Sequence, residues 1–278
     1  MRNSAFCWSR KYGSSENDLP SKERNFMNQE QKQYRLLYDI HTHTTFSHGK
    51  GSIEDNVKAA VSKGLKTVGI SDHGPGHVSY GVKRSNLPVM RSEVERLKPL
   101  YPKIEILLGV EANIINPSGR LDVTDEEIKL LDYILAGYHY GVFGEKPVLA
   151  LSIHARNFVV SNWLHGSTKA QIKRNTDLTV RAIYENEIKI LTHPGDKGAF
   201  DIGEIALACA DRGTLMEIST WHNWLTVDGI RQAAKTNASF VISSDAHTPE
   251  RIGDCQGAVD RIIEAGLDFE RVVNLIIE

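Results

Sequence analysis

The stretch YDIHTHTTFSHG, Tyr38–Gly49, places three histidines, His41, His43 and His48, within eight residues at the end of a short apolar run. Crowding imidazoles is costly, because each ring nitrogen needs a partner once it leaves water. The same arrangement recurs along the chain. Apolar strand-like runs at 36–41, 66–71, 104–111, 132–139, 188–193, 214–219 and 239–245 are predicted as strands. His41 and His43 end the first, with His48 just past it. His73 follows the second, in SDHGPGH, and Glu111 ends the third, in GVEAN. His139 ends the fourth, in AGYH, and His193 the fifth, in LTHPGD. Asp245 and His247 end the seventh, in SSDAH; the sixth carries Glu217.

Helical patterns separate these runs. IEDNVKAAVSKG follows Ser52, a suitable N-cap, and ends at Gly64. DEEIKLLD, TKAQIKRNTDLTVRAIYEN, IGEIALACADRG and VDGIRQAAKTN read the same way. Strand–helix alternation implies a parallel sheet, and seven strand signals in one series favour an α/β barrel of the (β/α)7, TIM-like kind over a doubly wound sheet. In such barrels the C-terminal strand ends surround one mouth. Metal-capable residues from six strands therefore converge on one place. His41 and His43 are two apart, as are Asp245 and His247, so each pair points one way. Seven of the eleven histidines fall at or just beyond strand ends, whereas His77, His154, His165 and His222 lie in loops. Packing alone gives no reason for that sorting.

The chain has 278 residues, enough for one such barrel. A net charge of −2 argues against a protein that grips nucleic acid through its backbone, but leaves room for a small phosphorylated substrate. Cys7, Cys209 and Cys255 form no C-x-x-C pair, so neither a disulfide framework nor a thiolate zinc site is expected. No run approaches the roughly 18 apolar residues of a membrane helix, and no signal peptide is visible. A cytoplasmic protein is the expectation; oligomeric state is left open. Residues 1–33 are polar and aperiodic and read as a disordered extension before a barrel at 34–278, with Met27 an alternative natural start. Gly141–Gly166 is a long insertion of the kind that forms lids.

IHTH, SDHG, GVEAN, AGYH, THPG and SDAH together resemble, in order and spacing, the hallmark motifs of the PHP (polymerase and histidinol phosphatase) family. The likeness covers residues 36 to 250 and is greatest to the small stand-alone PHP phosphatases and to the PHP domains attached to X-family DNA polymerases. It implies a distorted (β/α)7 barrel with three divalent metal ions. Carried over by position, His41, His43, Glu111 and Asp245 would hold one ion. Glu111 would bridge to a second, shared with His139 and His193, and His48, His73 and His247 would hold the third. Imidazole with carboxylate suits zinc first, then manganese or iron. Glu111 and Asp245 supply about −2 against about +6 from three ions, so an anionic substrate is expected. The implied chemistry is attack of a metal-bridging hydroxide, held with Glu111 and Asp245, on a phosphomonoester. A phosphodiesterase acting on short nucleic acids, a histidinol-phosphate phosphatase and a silent docking module are the alternatives. His77, Arg84, Arg156 and Lys197 are candidate substrate contacts, and Trp221 and Trp224 could stack on a ring. Asp39 and Asp72 could orient ligands or cap loop amides.

Overall fold

The computed structural model describes residues 33–142 and 168–278. Arg156, His154, His165, nearly all of the expected lid and the N-terminal extension up to Lys32 lie outside the described residues. One unit spans Tyr34–Ile276 and holds the barrel; of the other, Met1–Gln33 with Ile277–Glu278, only Gln33, Ile277 and Glu278 are described.

Seven strands lie side by side in chain order: β1 (Tyr38–Asp39), β2 (Thr67–Ile70), β3 (Glu105–Asn113), β4 (Tyr133–Gly137), β5 (Ile190–Leu191), β6 (Leu215–Ser219) and β7 (Phe240–Ser243). Every neighbouring pair is parallel. Past the strand ends, Thr42 bridges Ala246 in parallel and the His43 amide donates to the Ala246 carbonyl at 2.8 Å, which draws the first and last strands together. The result is the nearly closed TIM-like barrel that the alternation predicts.

Among the described residues the α-helices are α1 (Ile53–Ser62), α2 (Leu87–Leu97), α3 (Asp125–Ile128), α4 (Lys169–Glu185), α5 (Ile202–Arg212), α6 (Val227–Ala233) and α7 (Gln256–Ala265). Ser52 opens α1 with a full capping box to Asp55, and Gly64 takes a left-handed φ of 72° just past its end. DEEIKLLD forms only the single turn α3, started by Thr124. Helices α2 and α7 were not among the sequence expectations. Leu87, Met90, Val94 and Leu97 bury the stripe of α2, a spacing that was there to be read.

Strand alternation splits the interior into two levels. Ile40, Leu135, Ile190, Leu215 and Val241 form a small apolar cluster with Tyr38 and Tyr133 packed on it. Tyr133 packs against Gly69 and Gly109, where an added Cβ would collide with its ring and hydroxyl. Two residues further along the same strand faces come Glu111 after Gly109, Gly137 after Leu135 and Glu217 after Leu215. The apolar level thus sets a floor, and the polar level begins immediately above it. β5 and β7 end earlier than expected because His193 and Asp245 adopt left-handed backbone, φ 29° and 49°, which no strand accommodates.

Candidate metal centre

Glu111, fully buried, stands at the middle of the polar level. Its Oε1 lies 2.8 Å from His193 Nε2, 3.3 Å from His139 Nε2 and 3.4 Å from His41 Nε2. Its Oε2 lies 2.8 Å from His73 Nδ1 and 3.8 Å from His43 Nε2. Asp245 Oδ1 lies 3.0 Å from His43 Nε2 and 3.6 Å from His41 Nε2. His247 stacks on His43 with centroids 4.3 Å apart, and His48 sits 4.2 Å from His247 and 4.8 Å from His73. All nine residues expected at the mouth are therefore gathered in one place.

Buried carboxylates are pushed up by desolvation, but here their neighbours win. Burial raises Glu111, yet the charges of His139, His41 and His73 hold it well below the usual carboxylate range. Asp245 is likewise held low by His41, His222 and His43 against its burial. His41 rises well above an ordinary imidazole: Glu217, Asp245 and Glu111 outweigh its burial. His193 is pushed up to about 9, with Glu111 overcoming its burial. On the other side, burial and His73 drive His43 well down, and burial with His247 and His73 brings His48 to about 4.

A metal fits this set. Among the described residues, His41 Nε2, His43 Nδ1, His73 Nδ1, His193 Nδ1 and Glu111 Oε2 are buried with no hydrogen-bond partner. His73 Nδ1 and Glu111 Oε2 approach to 2.8 Å without hydrogen-bond geometry. A single unpaired buried polar atom costs about 1–3 kcal/mol, so His41 Nε2, His73 Nδ1 and Glu111 Oε2, all three at the Glu111 carboxylate, call for a ligand. Three overlapping groups bring donor atoms within 4.8 Å of one another: His41, His43 and Asp245; His73, Glu111 and His139; and His43, His73 and His247. His48 and His193 belong to none of the three.

Several positioning residues emerge only here. Glu217 Oε1 accepts from His41 Nδ1 at 2.6 Å, and its Oε2 accepts from the His193 amide at 2.6 Å. That fixes the tautomer of His41 and turns Nε2 toward Glu111 and Asp245. Asn113 Oδ1 does the same for His139 Nδ1 at 2.8 Å, and Asp122 holds the Asn113 amide in turn. His222 Nε2 meets Asp245 Oδ2 at 3.1 Å, while its Nδ1 lies 3.8 Å from Asp196 Oδ2. Asp72 accepts from the Thr44 amide, the Thr44 hydroxyl and the Ser47 hydroxyl, at 2.7, 2.6 and 2.5 Å, and so fastens the loop that presents His48. Asp39 accepts from the Gly253 amide at 2.9 Å and touches the His41 amide at 3.4 Å; both aspartates cap loop amides.

The cluster opens into a cleft of about 450 Å³ lined by Tyr80, Lys50, Lys197, Trp221, Thr248 and Arg251 together with ring edges of the cluster. Lys197 lies there, its Nζ 2.9 Å from Asp196. His77 stacks on Tyr80 at 3.6 Å, and burial brings its pKa down to about 4. Arg84 is tied to Glu127 at 2.5 Å and to the Asp122 carbonyl at 2.9 Å, and it does not line the cleft. Trp221 lines the cleft, whereas Trp224 does not.

The PHP domain family model matches residues 39–246. A probable phosphatase of Shewanella frigidimarina is 28% identical over 255 residues, covering 86% of this chain and 89% of the relative. A second, from Shewanella sp. strain MR-4, is 31% identical over 242 residues, covering 82% of each. By structure, the chain is similar to a Listeria monocytogenes protein named as a histidinol phosphatase, at TM-score 0.58 and 16% identity, over 78% of this chain and 97% of that one. It is also similar to histidinol phosphate phosphatase from Lactococcus lactis, solved with zinc, L-histidinol and phosphate, at TM-score 0.50 and 16% identity, over 83% and 94%. At that identity the two structures speak for the fold alone. The family match spans most of the barrel and the motifs at its mouth as far as Ala246, one residue short of His247, and with it this chain belongs to the PHP family and is a metal-dependent hydrolase.

Proposed function

We propose that this chain hydrolyses small phosphomonoesters at a three-metal site. His41, His43, Glu111 and Asp245 would hold one ion, Glu111, His139 and His193 a second, and His48, His73 and His247 a third. The observation that carries the reading is the unpartnered buried trio His41 Nε2, His73 Nδ1 and Glu111 Oε2, at the base of a cleft with a cationic rim. Zinc suits the imidazole-rich donors best, with manganese or iron next; the Lactococcus lactis relative, solved with zinc and phosphate, lends support. Ions bound there would supply Lewis acidity toward a phosphoryl oxygen and a water acidic near neutral pH.

The chain's own residues do the rest. Glu217 and Asn113 accept from Nδ1 of His41 and His139, so that with an ion bound the remaining proton would sit on Nδ1 and Nε2 would be left to ligate. Glu111 spreads its two oxygens between opposite groups of imidazoles, which is what a bridging carboxylate must do. His222 holds the outer oxygen of Asp245, so that Oδ1 stays aimed at His41 and His43. The rim cations draw the dianionic ester in. We assign this activity to residues 34–278, with 1–33 outside it.

The test is elemental analysis of the purified protein alongside hydrolysis of p-nitrophenyl phosphate and bis-p-nitrophenyl phosphate. About three ions per chain and preferential monoester turnover, both lost in His43→Ala and Asp245→Ala, are expected. Preferential diester cleavage would replace this reading with the phosphodiesterase. Bound metal with neither substrate turned over would leave a docking module.

A further inference from the structure

We propose that the leaving group of the substrate carries a second anionic group, a carboxylate or a phosphate, and that Arg251 and Lys50 receive it at the rim of the cleft. The inference rests on the monoesterase reading above and narrows its substrate class.

Space comes first. Ligand clefts run from about 300 to 1,000 Å³. A cleft of about 450 Å³ has room for a phosphate and for a leaving group of several heavy atoms beyond it. That leaving group must lie among the residues that line the cleft above the histidines.

Charge comes second. The carboxylates lining the cleft among the described residues are Asp196 and Asp245, both buried and both engaged with histidines. Three cations line it: Lys50, Lys197 and Arg251. Lys197 is already committed, since its Nζ reaches both oxygens of Asp196 at 2.9 Å. Arg251 is not. The central carbon of its guanidinium lies over the indole of Trp221, 3.8 Å from the ring centroid. Its nearest acid, Asp254, stands 3.7 Å away and is shared with Lys63 at 3.1 Å. A stacked guanidinium keeps its edge donors free for a planar anion, and the stack fixes it in place before the ligand arrives. The Lys50 amide donates to the His247 carbonyl at 2.9 Å, which ties it to the mouth, while its ammonium makes no hydrogen bond or ion pair among the described residues and feels exposed Glu250 nearby. The rim therefore holds two weakly engaged positive charges: Lys50, and Arg251 with one shared acid at 3.7 Å.

Like charges repel and opposite charges attract across a cleft mouth where water screens them only in part. A leaving group bearing an ammonium, as histidinol does, meets the wrong sign here. One bearing a carboxylate or phosphate meets the right one.

Three phosphomonoesters of similar size test this on the full-length, metal-loaded chain: 3-phosphoglycerate, glycerol 3-phosphate and O-phosphoethanolamine, with anionic, neutral and cationic leaving groups. kcat/KM should fall in that order, by about tenfold per step at low salt and by less at high salt. In K50A/R251A the ratio of 3-phosphoglycerate to glycerol 3-phosphate should drop to about one. A wild-type ratio near one, or a ratio that the double variant leaves unchanged, overturns the proposal. If none of the three is turned over, the monoesterase reading fails. Calorimetric binding of 3-phosphoglycerate against glycerol 3-phosphate then decides the rim on its own, by the same ratio and the same variant. An unchanged melting temperature in K50A/R251A shows that the fold has not been altered.

Discussion

Glu217→Gln should disorder the metal centre while changing almost nothing in size. The wild-type carboxylate is fully buried and accepts two hydrogen bonds of 2.6 Å, from His41 Nδ1 and from the His193 amide. Glutamine keeps one oxygen and turns the other into an NH2. If the NH2 faces the His193 amide, two donors oppose each other in a site closed to water, at a cost of about 1–3 kcal/mol. If it faces His41, the imidazole must offer a lone pair at Nδ1 and therefore carry its proton at Nε2. That is the nitrogen nearest Glu111 and Asp245, and a protonated nitrogen cannot ligate. Neither orientation escapes. The expected result is a loss of about 1–3 kcal/mol of unfolding free energy and a drop of roughly 10–100-fold in metal affinity. Urea unfolding measures the first, and ion content after equilibration in zinc buffers measures the second. A variant that matches the wild type in both the urea midpoint and the zinc titration would refute the role assigned to the two contacts.

Other perturbations separate the parts of the site. Asp72→Asn removes an acceptor from the Thr44–Ser47 anchor, so the His48 loop should loosen and about one ion per chain should be lost while the inner cluster keeps its own; unchanged stoichiometry would count against it. Stripping metal with a chelator should lower the melting temperature, and restoring zinc to about 100 times its Kd should return about 2.7 kcal/mol, since the ion binds only the folded cluster; equal melting curves would show that no ion binds there. Burial pushes the Cys209 thiol up to about 12 and the Cys255 thiol up to about 11. In a Cys7→Ser background, therefore, neither should react with Ellman's reagent at pH 8 until the protein is denatured; rapid labelling of the native chain would refute the packing around them.

Glu111 and the eight residues gathered around it were legible because barrel topology turns a one-dimensional regularity, polar residues at strand ends, into a three-dimensional cluster. The residues that orient them were not. Glu217 stands out in sequence only as an acid on β6; its two partners lie 176 and 24 positions away, and only folding brings them to its two oxygens. His222 sits in STWHNW without any spacing that ties it to Asp245. Arg84 read as a rim cation, yet Glu127, 43 residues later, takes it. Strand lengths were overestimated at His193 and Asp245 for a related reason. A non-glycine residue at positive φ carries no local signal, and its backbone conformation is imposed by the contacts its side chain makes.

Net charge misleads in the same way. A chain at −2 overall looks indifferent to anions. At the mouth the balance differs, because the acids there are spent inward. Glu111 and Asp245 face imidazoles, Glu217 holds His41 and His193, and Asp196 takes Lys197. What remains at the surface of the cleft is Lys50 and Arg251. Each ion bound below would add charge that two carboxylates cannot cancel. The field that an approaching molecule meets is thus set by which charges lack a partner, and the total over the whole chain does not report it. The same site that must bind one phosphate strongly is therefore poised to discriminate by the charge of whatever that phosphate is attached to.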